Sequence, residues 1–73
     1  MIKMIKLADW NGTYFRVYSR FTKKTIGYII DEIDWRFIDR KGNEYKLPAE
    51  YNKFSIDQAI KYFTSKKFIK TLS

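Results

Sequence analysis

Cysteine and histidine are both absent from this 73-residue chain. Without cysteine there can be no disulfide staple, thiolate metal site or cysteine nucleophile. Without histidine, the usual general base and the commonest zinc ligand are also missing. Backbone punctuation is sparse, limited to Gly12, Gly27, Gly42 and Pro48. No run approaches the roughly 20 apolar residues of a membrane span. Met1–Lys6 alternates lysine with apolar residues and lacks the apolar centre of a signal peptide. The chain is therefore expected to be cytoplasmic, with no membrane role, no metal and no cofactor.

What is present argues for one small folded domain over residues 1–73. A hydrophobic fraction of 45%, with 19% aromatic, is too apolar for a disordered chain. Each buried aromatic hides about 150–250 Å², so a few can anchor a minimal core. Stability must come from such packing or from a partner subunit, because nothing covalent supplies it.

The formal net charge is +7, unevenly spread. Residues 1–30 carry six cations against the single carboxylate Asp9, and residues 51–73 carry five against Asp57. Between them, residues 31–50 carry six acidic and four basic groups. A positive field of this kind attracts polyanions, although excess lysine also serves solubility alone.

Asn11-Gly12 favours a two-residue type I′ hairpin. With those two residues as the loop, Trp10 faces Thr13, Ala8 pairs with Phe15, Lys6 with Val17, Met4 with Ser19 and Ile2 with Phe21. That mostly apolar face is the expected core. Thr22-Lys23-Lys24 reads as a polar turn. The run Thr25–Ile38 changes phase between Ile30 and Ile33, which requires a bulge or break at Asp31-Glu32. Asp39–Gly42 reads as a type I turn closed by glycine, and Glu44–Leu47 as a short strand ended by Pro48.

Ser55 opens a helix over 55–64, with Gln58 completing a capping box and Asp57 at the positive end of the dipole. Ile56, Ala59, Ile60 and Phe63 form its apolar stripe. Residues 66–73 fit a frayed basic helix, a short last strand or a tail. The fold class is α+β: an antiparallel meander of about four strands with one C-terminal helix across its apolar face. That stripe is expected to cover Phe15, Val17, Phe21, Trp35 and Phe37, with Tyr45 and Leu47 also in core or hairpin packing.

The acidic cluster Asp31, Glu32, Asp34 and Asp39 has neither histidine nor a glycine-rich phosphate loop beside it. Its expected role is to solubilise a β segment or to pair with Arg36 and Arg40. No catalytic residue or metal ligand is assigned, and the chain is expected not to be an enzyme. Lys61, Lys66, Lys67 and Lys70 are expected near the helix C-terminus, where they complement the dipole.

The functional signal lies in Tyr14–Arg20, where Tyr14, Arg16, Tyr18 and Arg20 alternate with Phe15, Val17 and Ser19. Alternation sets the first group on one strand face. Tyrosine rings can stack bases, and arginine grips phosphate through a bidentate fork. With Lys3, Lys23 and Lys24 nearby, these residues are the expected binding face of a small basic nucleic-acid-binding or regulatory protein, with DNA or RNA as partner. Tyrosine and arginine are also enriched at protein hot spots. The alternative is therefore an inhibitor or adaptor that docks on a larger host enzyme through the same face. The small size and the richness in lysine, isoleucine and tyrosine fit a phage or mobile-element gene.

Overall fold

Alternation of apolar and polar residues drives the first half of the chain into strands. The computed structural model describes residues 5–10 and 14–72, with side chains described for Leu7 and for 14–72. β1 (Ile5–Trp10), β2 (Tyr14–Ser19), β3 (Thr25–Asp31), β4 (Trp35–Asp39) and β5 (Glu44–Lys46) form an antiparallel sheet in chain order. Two short helices follow, α1 (Ile56–Phe63) and α2 (Lys66–Thr71). Both contribute buried side chains to the core on one side of the sheet. The architecture is the expected α+β meander, with its helical layer in two pieces.

Register separates the two faces. Phe15, Ile29, Phe37 and Tyr45 pair across four strands on the helix side, as do Val17, Gly27 and Asp39 across three. Tyr14, Ile30, Arg36 and Lys46 pair on the opposite side, as do Arg16, Tyr28, Ile38 and Glu44.

The first hairpin differs from expectation by one residue. Trp10 pairs with Tyr14, Ala8 with Arg16, Leu7 with Val17 and Lys6 with Tyr18. The connecting residues Asn11, Gly12 and Thr13 lie outside the described residues, as do Met1–Met4 and with them Lys3. A one-residue slip exchanges the faces of a strand. Leu7 accordingly packs against the core, in the place assigned to Lys6.

The phase change in the long apolar run is resolved as a break: β3 ends at Asp31 and β4 begins at Trp35. A second irregularity, not foreseen, lies in β3. Val17 pairs with Gly27 but Tyr18 pairs with Thr25, so Ile26 is the extra residue of a bulge. Gly27 is buried there, where a Cβ would run into the Phe37 ring and the Ile38 carbonyl oxygen. Close strand packing therefore requires glycine at this position. At the next turn the Gly42 amide donates to the Asp39 carbonyl at 3.0 Å, and Gly42 takes φ of 90°, as a glycine-closed hairpin demands.

The helical layer begins as its sequence implies. The Ser55 hydroxyl accepts from the Gln58 amide at 3.3 Å, with Asp57 in the first turn and Lys61 in the last. Gln58 does not close a capping box, because its side-chain oxygen accepts from the Asn52 amide at 2.7 Å instead. Ala59 and Phe63 are buried, Ile60 packs beside them, and Ile56 is half-buried at the helix start.

Ser65 then divides the layer. Its hydroxyl donates to the Tyr62 carbonyl and accepts from the Phe68 amide, ending one helix while capping the next. Residues 66–71 are thus a separate helix that buries Phe68. Lys66 and Lys67 stand in its first turn and not near a C-terminus, whereas Lys61 and Lys70 occupy last turns as expected.

Aromatic rings dominate the core. The Phe37 centroid lies 5.6 Å from Phe63 and 4.9 Å from Phe68, and Phe63 and Phe68 are 5.0 Å apart. Such pairs add about 0.5–1.5 kcal/mol each beyond area burial. Phe21 takes no part in this core. It is 66% exposed, because β2 stops at Ser19, whose hydroxyl accepts the amides of Phe21 and Thr22 and ties the chain into a turn.

Candidate functional site

The helices occupy one side of the sheet, and the opposite side carries the tyrosine–arginine row. On β2, Tyr14 and Tyr18 are half-buried and Arg16 is exposed. The Arg16 guanidinium carbon lies 4.9 Å from the centroid of the Tyr18 ring. That distance is within cation–π range, so the two side chains form a unit with one aromatic and one cationic component. Tyr28 stands directly opposite Arg16 on β3, and Ile38 follows it on β4. The register of β1 adds Lys6, Ala8 and Trp10 opposite Tyr18, Arg16 and Tyr14.

In the far half of this face Arg36 is held in ion pairs, and Lys46 beside it is exposed. Arg36 Nε donates to Asp34 at 2.6 Å, and its Nη1 donates to Glu44 at 3.0 Å. The Arg36 hydrogen bond holds the Asp34 carboxyl below its ordinary value against the opposing effect of burial. The bonds that Arg36 donates to Asp34 and Glu44 in turn raise its own value. Two carboxylates thus neutralise Arg36, while Arg16 leans on a tyrosine ring. The expectation that the acidic cluster pairs with arginine holds for Asp34.

Asp39 serves a different purpose. Its two oxygens accept four bonds, from the amides of Lys41 and Asn43, the Asn43 side chain and the Tyr45 hydroxyl. Burial pushes its carboxyl up most strongly, but these bonds together outweigh it and the net shift is downward. Burial, with this bond to Asp39 next, raises the Tyr45 phenol. The carboxylate therefore locks the β4–β5 turn. Among the described residues, no group of three acidic, histidine or cysteine side chains could hold a metal ion. Nor is any described helix long and apolar enough to cross a membrane.

The remaining members of the expected binding row separate. Arg20 lies beyond the end of β2, in the turn that joins it to β3, and Lys23 sits in that turn with φ of 62°. The Lys23 amide donates to the Ser19 carbonyl at 2.9 Å, which tightens the loop. Lys24 lines a groove at the hairpin end of the helix side, beside Ile26, Tyr45 and Leu72. Tyr14, Arg16 and Tyr18 are thus together on the open face, Arg20 and Lys23 are at its end, and Lys24 is around the corner. The groove could not be read from alternation, because it joins segments distant in sequence. Comparison with protein-family models, with curated proteins and with solved structures finds no match to this chain.

Proposed function

We propose that this chain is a small nucleic-acid-binding protein whose open sheet face holds single-stranded DNA or RNA. The observation that carries this reading is the Arg16–Tyr18 pair on a sheet face opposite both helices. A base stacked on a sheet tyrosine gains about 1–3 kcal/mol, while arginine engages the neighbouring phosphate. The +7 charge speeds encounter with a polyanion. No catalytic step belongs to this reading.

Fluorescence anisotropy with labelled single-stranded oligonucleotides across a salt series tests it. Arg16→Ala should weaken binding and lower the salt slope by about one unit. Tyr18→Ala should weaken binding with little change in slope, since stacking releases no counterion. Absence of binding to DNA and RNA at low salt would defeat the reading. A second reading, favoured by half-buried Ile38 on the same face and by exposed Phe21, is an inhibitor or adaptor that docks on a larger protein. Capture of a protein partner that is lost in Arg16→Ala and Tyr18→Ala, without oligonucleotide binding, would select that alternative.

A further inference from the structure

The helix side of the sheet carries a second feature that the tyrosine–arginine row does not explain. A groove of about 830 Å³ opens between the β2–β3 hairpin, the β4–β5 turn and the end of α2. That volume falls within the range of about 300–1,000 Å³ common for small-ligand sites. Its apolar surface comes from Ile26, Ile69 and Leu72, all of which pack on the core. Its charged groups are Lys24, Arg40 and Lys41 against Asp39 alone, an excess of two positive charges.

Asp39 does not turn this groove into a cation site. An ionised carboxylate offers about four lone-pair positions, and the four bonds to Asp39 use them. The three cations belong to two turns that are fixed independently. Asp39 fixes one turn, and the Ser19 hydroxyl fixes the other by accepting the amides of Phe21 and Thr22. Threonine and asparagine side chains, Thr22, Thr25 and Asn43, also line the opening and can hydrogen-bond to anionic oxygens.

We infer that this groove binds a phosphomonoester attached to a planar or apolar body, as in a nucleoside monophosphate. A phosphomonoester carries about −1.5 to −2 charge at neutral pH, which matches the excess of two cations. Ile26, Ile69 and Leu72 offer an apolar surface to the body, while Lys24, Arg40 and Lys41 take the phosphate. The same chemistry is available from a free nucleotide or from the phosphorylated end of a strand. The groove stands on its own geometry, and only the strand-end source rests on the open-face reading.

The test is an NMR titration of the isotope-labelled protein with adenosine monophosphate, adenosine and inorganic phosphate in parallel. Adenosine monophosphate should shift the amides of Lys24, Thr25, Lys41 and Asn43 saturably, and more tightly than either fragment. Arg40→Ala with Lys41→Ala should weaken it by about tenfold or more, the factor carried by one charge-assisted hydrogen bond. Lys67→Ala, which removes an exposed cation from the first turn of α2, should leave it unchanged. Oligonucleotides phosphorylated at one end, at the other or at neither separate the two sources. Preference for one phosphorylated end assigns strand ends, and equal binding of all three assigns free nucleotide. Arg16→Ala should impair the oligonucleotides without altering the mononucleotide shifts, so the two sites fail separately. Absence of groove shifts with adenosine monophosphate, or shifts unaltered in the double variant, would overturn the inference.

Discussion

Gly27→Ala adds a single methyl group at the tightest point of the sheet. On a free chain the change is favourable by about 0.4–1 kcal/mol, because alanine has fewer unfolded conformations to lose. Here the new Cβ meets the Phe37 ring and the Ile38 carbonyl oxygen. The ring is fully buried and packed against Phe63 and Phe68, and the carbonyl belongs to the strand that pairs with β3. Neither can retreat without loosening the core or the ladder. Overpacking of this kind costs about 1–3 kcal/mol, which exceeds the chain-entropy gain. A net loss of about 1–2 kcal/mol is expected, from a total stability of about 4–11 kcal/mol at this length. The melting temperature should fall by about 4–16 °C. Circular dichroism in urea and on heating measures both quantities. Combining Gly27→Ala with Phe37→Leu should cost less than the sum of the single changes by at least about 0.5 kcal/mol, since a smaller side chain relieves part of the clash. A Gly27→Ala protein as stable as the parent, or a double variant that is strictly additive, would refute the argument that close packing demands glycine.

Phe63→Ala removes a fully buried ring at the centre of the aromatic cluster and should cost about 3–5 kcal/mol in urea unfolding. A loss below about 1 kcal/mol would show that α1 is not docked through that ring. Asp34 and Asp39 have folded-state pKa values below their ordinary 3.8, so each contributes stability that is present above that value. This contribution is lost as pH falls through the lower folded values. The melting temperature should therefore drop on acidification below about pH 4, and Asp34→Asn should flatten part of that drop while lowering stability at neutral pH. An unchanged acid profile in Asp34→Asn would remove the Arg36 contact from the account.

Much of the fold is legible in local chemistry. Ser55 as a cap, the glycine that closes the Asp39 turn and the break at Asp31-Glu32 each depend on a few neighbouring residues. The features that escaped depend on something larger. Asn11-Gly12 favours a two-residue loop, yet the paired strands stand one residue further apart, which moves Leu7 into the place assigned to Lys6. The observed register sets Leu7 opposite Val17 and against the core, a long-range pairing that no window of a few residues reports. The second helix was obscured because Phe68, Ile69 and Leu72 do not continue the stripe of the first. The usable signal was Ser65, a good capping residue placed where the periodicity restarts. In the candidate site, strand alternation identifies Tyr14, Arg16 and Tyr18. It carries no information past Ser19, where the strand ends and Arg20, Lys23 and Lys24 diverge.

The open face also shows why its two arginines differ as probes of function. Ile30 lies on this face, away from the helices, yet retains only 4% of its exposure. Its cross-strand neighbours are Tyr14 and Arg36, long side chains whose apolar portions can take the place of a second layer. The Arg36 side chain is only 17% exposed, and its charge is committed to Asp34 and Glu44. Removing it would uncover Ile30 and leave Asp34 without its closest cation, so structure and binding would change together. Arg16 is exposed, and its ring contact is with Tyr18 at the edge of the same surface. Under the proposed reading, a strand of phosphates can recruit its charge without dismantling an ion pair, which is not so for Arg36. Arg16→Ala therefore tests the proposed recognition separately from folding, which Arg36→Ala cannot do.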